Sequence, residues 1–390
     1  MLGFHIVKRA GLPLWKRILL YVGAIFCALL LGALILLAIG VNPIKYYFQM
    51  FTLGTVGNKI AYKTFINYFK ELVPLLLTSI ALSLAFKMKF WNIGGEGQFI
   101  MGAISATFIA LRFGGVLPQP ITLVLMCLVA MLAAGLYGLL VAFLKVKFGT
   151  NETLMTLMLN YVALYLLYFI GETKAGWNIF LQEESERPVF KSFDVSFWSI
   201  PFGKFQLNIC LVLTILIGVL VWLYLKKTKQ GYEISVVGDS IGTARYAGMK
   251  VNKIILRTVF ISAALIGLAA AFKVGTAGTL STAITNDVGW TGIIVAWLAQ
   301  LSIPVIIVVS ALICLLQFGS VEAAATFGNV DSSFANMLQG LLLFLILAVD
   351  FFIRFKIVRN KTQVIATDGE ALPATQENGA EEAVKEESNG

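Results

Sequence analysis

The sequence predicts an all-α, polytopic membrane protein of about ten transmembrane helices. Three observations predict it. The 390 residues are 58% hydrophobic and only 13% charged, where a soluble chain carries about 25% charged residues. The mean hydropathy is +0.85. The apolar residues are gathered into runs near the ~20 residues that a helix needs to cross the hydrocarbon core.

Ten segments read as spans: about 18–40, 72–90, 97–112, 119–143, 152–171, 206–225, 254–275, 288–300, 302–318 and 335–353. The segments 97–112 and 288–300 are short. An even number puts both termini on one side. With the N-terminus inside, 20 of the 30 Lys and Arg residues fall in cytoplasmic segments, so the positive-inside rule favours that orientation. Residues 42–71 depart from it, with Lys45, Lys59, Lys63 and Lys70 against Glu71 alone. Their aromatic content suits an amphipathic helix at the interface. On this scheme residues 1–17 are a cytoplasmic N-terminus and 18–355 the membrane domain. Within it, 172–205 form an external loop and 226–253 an internal one. The aromatics of the external loop (Trp177, Phe180, Phe193, Phe197, Trp198) read as interface packing, or else as a docking surface. Residues 356–390 form an acidic tail too poor in apolar residues to fold.

The net charge of +9 follows from basic residues flanking apolar runs, which argues against nucleic-acid binding. Cys27, Cys127, Cys210 and Cys314 lie in apolar runs without paired spacing, and His5 is the single histidine. Disulfide, zinc and histidine-based acid–base readings are therefore weak. No phosphate-binding loop, metalloprotease or nucleophile-elbow motif occurs. The chain reads as non-enzymatic and without a cofactor of its own, and any ATP that drives it must be bound by another subunit.

Four polar constellations interrupt the apolar sequence. In Trp91-Asn92-Ile93-Gly94-Gly95-Glu96-Gly97-Gln98 a carboxylate, two amides and three glycines break a membrane segment. Ionisable groups inside a membrane are costly and mark pathways or buried contacts, and irregular backbone is tolerated there only where protein or water covers it. The Lys87 and Lys89 charges put this break near the cytoplasmic face. The broken-helix pattern puts it nearer the midplane, and with lysines able to snorkel the midplane is preferred. Glu96 reads either as a pathway residue or as an acceptor for backbone N–H groups of its own glycine turn.

A second break, Asn286-Asp287-Val288-Gly289-Trp290-Thr291-Gly292, follows a helix of opposite direction. The pair suggests an inverted repeat with a substrate path between the breaks, an idea that requires the two to lie close together. A third stretch, Asn151–Tyr161, places Glu152, Thr156 and Asn160 on one helix face, either bonding helices or lining a cavity. Trp91 and Trp290 read as interfacial anchors or as stacking platforms for a base. In the internal loop, residues 240–247 are expected to form a short helix, started by Asp239 or Ser240 and ended by Gly248.

These stretches resemble the permease subunits of bacterial ATP-binding-cassette importers for branched-chain amino acids, ribose and nucleosides. Asn92–Gln98 is similar to the Asn-Ile-Gly-x-Glu-Gly-Gln signature of the nucleoside and simple-sugar branch. Glu152–Tyr161 is similar to that branch's Glu-x-x-x-Thr-Leu-Met-Leu-Asn-Tyr, and Gly289–Ala296 to its Gly-Phe-x-Gly-Ile-x-Val-Ala, with Trp290 for Phe. Gly238 with Ala244–Gly248 resembles the cytoplasmic coupling segment, with Asp239-Ser240 in place of the usual Asn-Pro. The resemblance covers about residues 70–355. It implies a nucleoside permease in a bacterial cytoplasmic membrane, with Trp91, Asn92, Gly94, Glu96, Gln98, Thr156, Asn160, Trp290 and Thr291 along the pathway. It also implies Gly238, Asp239, Ala244, Arg245, Tyr246 and Gly248 as the contact with the ATPase. The implied partners are a second homologous permease, cytoplasmic ATP-binding subunits and an extracellular substrate-binding lipoprotein. Alternatives are the same importer for ribose-like sugars, a secondary transporter working alone, and a membrane scaffold or sensor.

Overall fold

The computed structural model describes residues 4–8, 13–56, 60–197, 199–202, 205–328, 330 and 333–359. Trp198 and the acidic tail from residue 360 lie outside the described residues, as do residues 1–3 and 9–12 of the N-terminus. The chain divides into two units. One draws on both ends of the chain and contains an antiparallel ribbon of β1 (Phe4–Lys8) and β4 (Phe355–Arg359), with Phe4 opposite Arg359. The other, residues 14–350, is the helical domain.

Its helices are α1 (Leu14–Ala38), α2 (Pro43–Phe51), α3 (Ala61–Lys87), α4 (Gly95–Phe113), α5 (Gln119–Phe148), α6 (Glu152–Glu172), α7 (Ile209–Lys227), α8 (Lys229–Asp239), α9 (Ile241–Tyr246), α10 (Val251–Ala277), α11 (Val288–Leu298), α12 (Ile303–Phe327) and α13 (Ser333–Arg354). A short hairpin of β2 (Ser199–Phe202) and β3 (Phe205–Asn208) precedes α7. Local chemistry sets many of these boundaries. Asn151 caps α6 by accepting from Thr153 and Leu154 N–H. Asn42 caps α2 ahead of Pro43, and Gly149 closes α5 in the left-handed conformation.

Eight described helices are long and apolar enough to cross a membrane, where the sequence suggested ten. The two expected short spans account for the difference. Segment 288–300 holds α11, whose 11 residues make about 16 Å of helix, too short by itself to cross a ~30 Å core. Segment 97–112 is α4, which is too polar at its start to stand among the eight but runs the full depth of the domain. One end of the domain is basic, where α5 finishes on Lys145 and Lys147 and α7 on Lys226 and Lys227. The opposite end carries the long loop after α6, and is called the loop end below. At the start of α4, Phe90 lies under the Lys145 ammonium at the basic end. Just beyond the end of α4, Val195 of the long loop lies against Gly114, and Gln119 Nε2 donates to Ser196 O.

α3 and α10 are the most enclosed spans. α10 packs on α3, α4 and α5, and Ser262 Oγ donates to Ala81 O across the α10–α3 contact. Closeness in the α4–α10–α5 stack depends on small residues. A Cβ on Gly102 would lie 2.7 Å from Gly267 Cα, and one on Gly267 would collide with the Ala130 carbonyl. In a membrane such backbone approach is what dispersion packing between helices uses. The interface helix expected in 42–71 is α2 and the first turns of α3. α2 is packed on protein, with Tyr46 and Met50 buried and Tyr46 Oη 2.5 Å from Ser320 Oγ of α12.

Gly267→Val is expected to destabilise the protein by about 1–3 kcal/mol through overpacking. Gly340→Val, where a Cβ meets nothing within 4 Å, should be nearly neutral. Thermal unfolding in detergent compares the two.

Candidate functional site

After α3 the chain turns at Lys89, whose φ is 57°, and stays irregular until Gly95. Every backbone group released here needs a partner inside the protein. Asn92 and Gln98 form a reciprocal amide pair: Asn92 Nδ2 donates to Gln98 Oε1 at 3.1 Å and Gln98 Nε2 donates to Asn92 Oδ1 at 3.0 Å. Asn92 Oδ1 also accepts from Gly94 N–H. The α6 stripe supplies the rest. Thr156 Oγ1 accepts from Ile93 N–H at 3.2 Å, and Asn160 Oδ1 accepts from Gly97 N–H at 2.8 Å while its Nδ2 donates to Ile93 O at 2.9 Å. All four side chains are buried. Of the two readings of the stripe, bonding between elements is the one seen in this conformation. Glu152, at the start of the stripe, pairs with Lys145 at 2.5 Å.

The second break meets the first. Asn286 and Asp287 are both left-handed, with φ of 45° and 56°, and turn the chain into α11. Asp287 makes no side-chain cap there. Glu96 Oε2 takes that place by accepting from Gly289 N–H at 2.8 Å, and Trp290 N–H and the Thr285 hydroxyl lie at the same carboxylate. Glu96 is thus a cap for a helix 193 residues away in sequence, not for its own glycine turn. A carboxylate at a helix N-terminus satisfies orphan N–H groups and opposes the positive end of the helix dipole. Residue 289 must be glycine for this contact, because a Cβ would collide with the Glu96 backbone.

The other end of α11 is also marked by two left-handed residues, Gln300 and Leu301. Trp297 stacks on Trp91, with ring centroids 5.1 Å apart and planes 16° apart, and Phe86 completes the cluster. Trp91 therefore faces Trp297. Trp290 is part-exposed on α11 and not stacked on it. Thr291 is buried, and its Oγ1 accepts from Gln317 Nε2 of α12 and Gln339 Nε2 of α13, both at 3.3 Å. Gln317 and Gln339 were missed in the sequence, although an amide in an apolar run is the signal that finds them. The ion pair of Glu71 on α3 with Lys273 on α10 was missed as well, and an intramembrane charge is the same kind of signal.

The first break changes depth along its length. Its start is at the basic end: Lys89 Nζ lies 3.4 Å from Asp239 O, and Met88, Lys89 and Phe90 share a small cavity with Val237, Gly238 and Asp239. Its far end is bonded to Asn160, eight residues or about 12 Å into the ~30 Å of α6. Residues 87–90 thus lie at the basic end, and Gly97 lies about 12 Å along α6 from it.

In the internal loop, α8 leads into α9. Ser240 caps α9 by accepting from Thr243 N–H at 3.2 Å, and Gly248 turns left-handed behind it. Ala244 is buried, Arg245 points out, and Tyr246 is 98% exposed. Among the described residues no cluster of three His, Cys, Asp or Glu could hold a metal.

A helical bundle with two crossed breaks inside it and a short capped helix at its basic end is the build of a multi-pass transport subunit. The family model for the branched-chain amino acid transport system / permease component matches residues 64–347. The chain belongs to that family and is a multi-pass permease component of an ABC transporter. It is 28% identical to the nucleoside ABC transporter permease protein NupB of Lactococcus lactis subsp. cremoris, over 89% of this chain and 94% of that one. It is 29% identical to the guanosine ABC transporter permease protein NupP of Bacillus subtilis, over 85% and 93%. It is 26% identical to the glucose ABC transporter permease protein TsgB13 of Haloferax volcanii, over 90% and 92%. No solved structure matches the chain.

Asn160→Leu is expected to strip partners from two buried backbone groups at about 1–3 kcal/mol each and to lower folded yield sharply. Glu96→Gln keeps a carbonyl acceptor for Gly289 and should retain more stability than Glu96→Ala. Yield of monodisperse protein and its thermal midpoint check both.

Proposed function

We propose that this chain is the permease subunit of an ATP-driven importer of nucleosides such as guanosine. The observation that carries this reading is similarity to a nucleoside and a guanosine permease over nearly their whole length. The glucose permease among the relatives favours a second reading, the same machine for simple sugars. The N-terminus and C-terminus face the cytoplasm, in keeping with the positive-inside rule and with the pairing of β1 and β4, which joins the two ends of the chain. The chain binds no cofactor. Cytoplasmic ATP-binding subunits hydrolyse ATP, a second homologous permease completes the membrane pore, and an extracellular binding lipoprotein delivers substrate at the loop end.

Coupling follows from adjacency. The exposed Tyr246 and Arg245 of α9 meet the ATPase. α9 adjoins α8, and α8 abuts Lys87–Lys89 at the start of the first break. Displacement of α8 and α9 is passed through that break to Glu96, and from Glu96 to the N-terminus of α11. With left-handed residues at both ends, α11 is the element that moves as a rigid piece, switching the path from outward- to inward-facing. Asn92, Gln98, Thr156 and Asn160 keep the first break in register beside it, while Gly94 gives it room.

Labelled guanosine uptake in cells tests the reading. It should require this chain, the ATPase and the binding protein together, and excess adenosine or cytidine should block it while ribose does not. Uptake by this chain alone would make it a secondary carrier, and competition by sugars alone would move it to the sugar branch. Tyr246→Ala is expected to reduce uptake about tenfold or more, the loss of one exposed anchor worth ~1.4 kcal/mol or above, with folded yield unchanged. Uptake and yield measured side by side check this.

A further inference from the structure

A cleft lies in the loop-end half of the domain, where the sequence pointed to the second break and not to Glu71, Gln317 or Asn336. Its volume is about 280 Å³, and it is bounded by α3, the 286–288 turn, α12 and α13. Glu71, Asn286, Gln317 and Asn336 put one carboxylate and three amides on its wall, with Phe318 beside them and Val288, the first residue of α11, also lining it. Depth is set by Glu71. It pairs with Lys273, four residues or about 6 Å from the loop end of α10. Gly275, two residues further, packs against the ring of Phe197 in the long loop.

We infer that this cleft is the site where the permease receives its substrate, and that the substrate it fits is an uncharged nucleoside. This rests on the nucleoside reading above. Asn286 and Asn336 can each donate and accept, as base edges and ribose hydroxyls do, Gln317 has its Nε2 taken by Thr291 and Gln339 and offers its carbonyl as an acceptor, and Phe318 offers a ring for the base. Glu71 has its Oε1 engaged by Lys273, leaving Oε2 to accept from a hydroxyl or ring N–H. No Lys or Arg is among the described lining residues. A phosphate would therefore face the Glu71 carboxylate without a free cation, which selects nucleosides against nucleotides. The volume lies just under the ~300–1,000 Å³ of ordinary ligand pockets, so the occupant is compact.

The cleft is also joined to the moving element. Gln317 is on its wall and donates to Thr291 of α11, and Asn286 is both a lining residue and one of the two left-handed residues that start α11. An occupant that draws on Gln317 and Asn286 acts on the same helix that Glu96 caps. The larger crevice of about 630 Å³ among α1, α11, α12 and α13 is mainly apolar, with Arg17, Gln300, Ser302 and Gln339 dispersed over its wall.

The test uses the assembled importer without its binding protein, so that the permease holds the substrate site. In a Cys27→Ser, Cys127→Ser, Cys314→Ala background, which removes the exposed and half-buried thiols and the one that already lines the cleft, Asn336→Cys places a thiol there, where Asn336 is exposed. Guanosine at about twice its Kd is expected to slow labelling of this thiol by a small methanethiosulfonate about threefold, as for a site occupied about two-thirds of the time. Guanosine monophosphate should not. Adding Asn286→Gly, which keeps the left-handed backbone and removes only the amide, should abolish the protection. Absence of protection by guanosine, in a complex that still imports it when the binding protein is restored, overturns the cleft assignment. Equal protection by the monophosphate overturns the charge argument, and protection by sugars alone overturns the ligand class. Failure of the unaltered, complete importer to take up any nucleoside is a separate result and overturns the parent reading instead.

Discussion

The structure depends on one contact, the Glu96 carboxylate on the N-terminus of α11. Two stretches of non-helical backbone sit inside a membrane domain, where water is not at hand to satisfy them. Each is completed by what surrounds it. The first break is held by its own amide pair and by the α6 stripe. The second has no side-chain cap of its own and takes one from the first. Because the acceptor is a charge, the bond is strong and costly to leave unmade. The position of α11 thereby follows that of the first break.

This arrangement gives the domain a direction. At the basic end, Lys87 and Met88 lie against Gly238, so the start of the break rests on the segment that carries α9. At the loop end, Val288 and Asn286 border the polar cleft. Between them are Glu96 and α11, with the tryptophan pair Trp91–Trp297 at the far side. Left-handed, non-glycine residues occur at both ends of α11 and at Lys89. Strain of about 1–3 kcal/mol at each such residue is concentrated at the joints between helical pieces rather than within them, which suits elements that change orientation without unfolding.

Several residues chosen from the sequence for the pathway turn out to have their polar atoms committed within the protein. Asn92 and Gln98 bond each other, while Asn92, Thr156 and Asn160 bond backbone of the first break, and all four are buried. Their motif is specific because a broken segment needs particular acceptors and donors at particular positions, and that need is independent of any solute. The polar residues on the wall of the loop-end cleft are elsewhere: Glu71, Gln317 and Asn336 stand singly in otherwise apolar or mixed runs. A lone polar residue has no spacing pattern to announce it, so a motif search passes over it.

What the sequence by itself determined is what hydrophobicity and local chemistry encode: the crossing helices, the breaks, the caps at Asn151 and Ser240, and the left-handed glycine behind α9. These are set by neighbours within a few residues. The length and depth of α11, the partner of Glu96, the Glu71–Lys273 pair and the cleft were decided only by tertiary structure. A buried charge or an open backbone N–H in a membrane states that it must have a partner. Which partner it finds, 193 residues away in the case of Gly289 and Glu96, depends on how the helices pack.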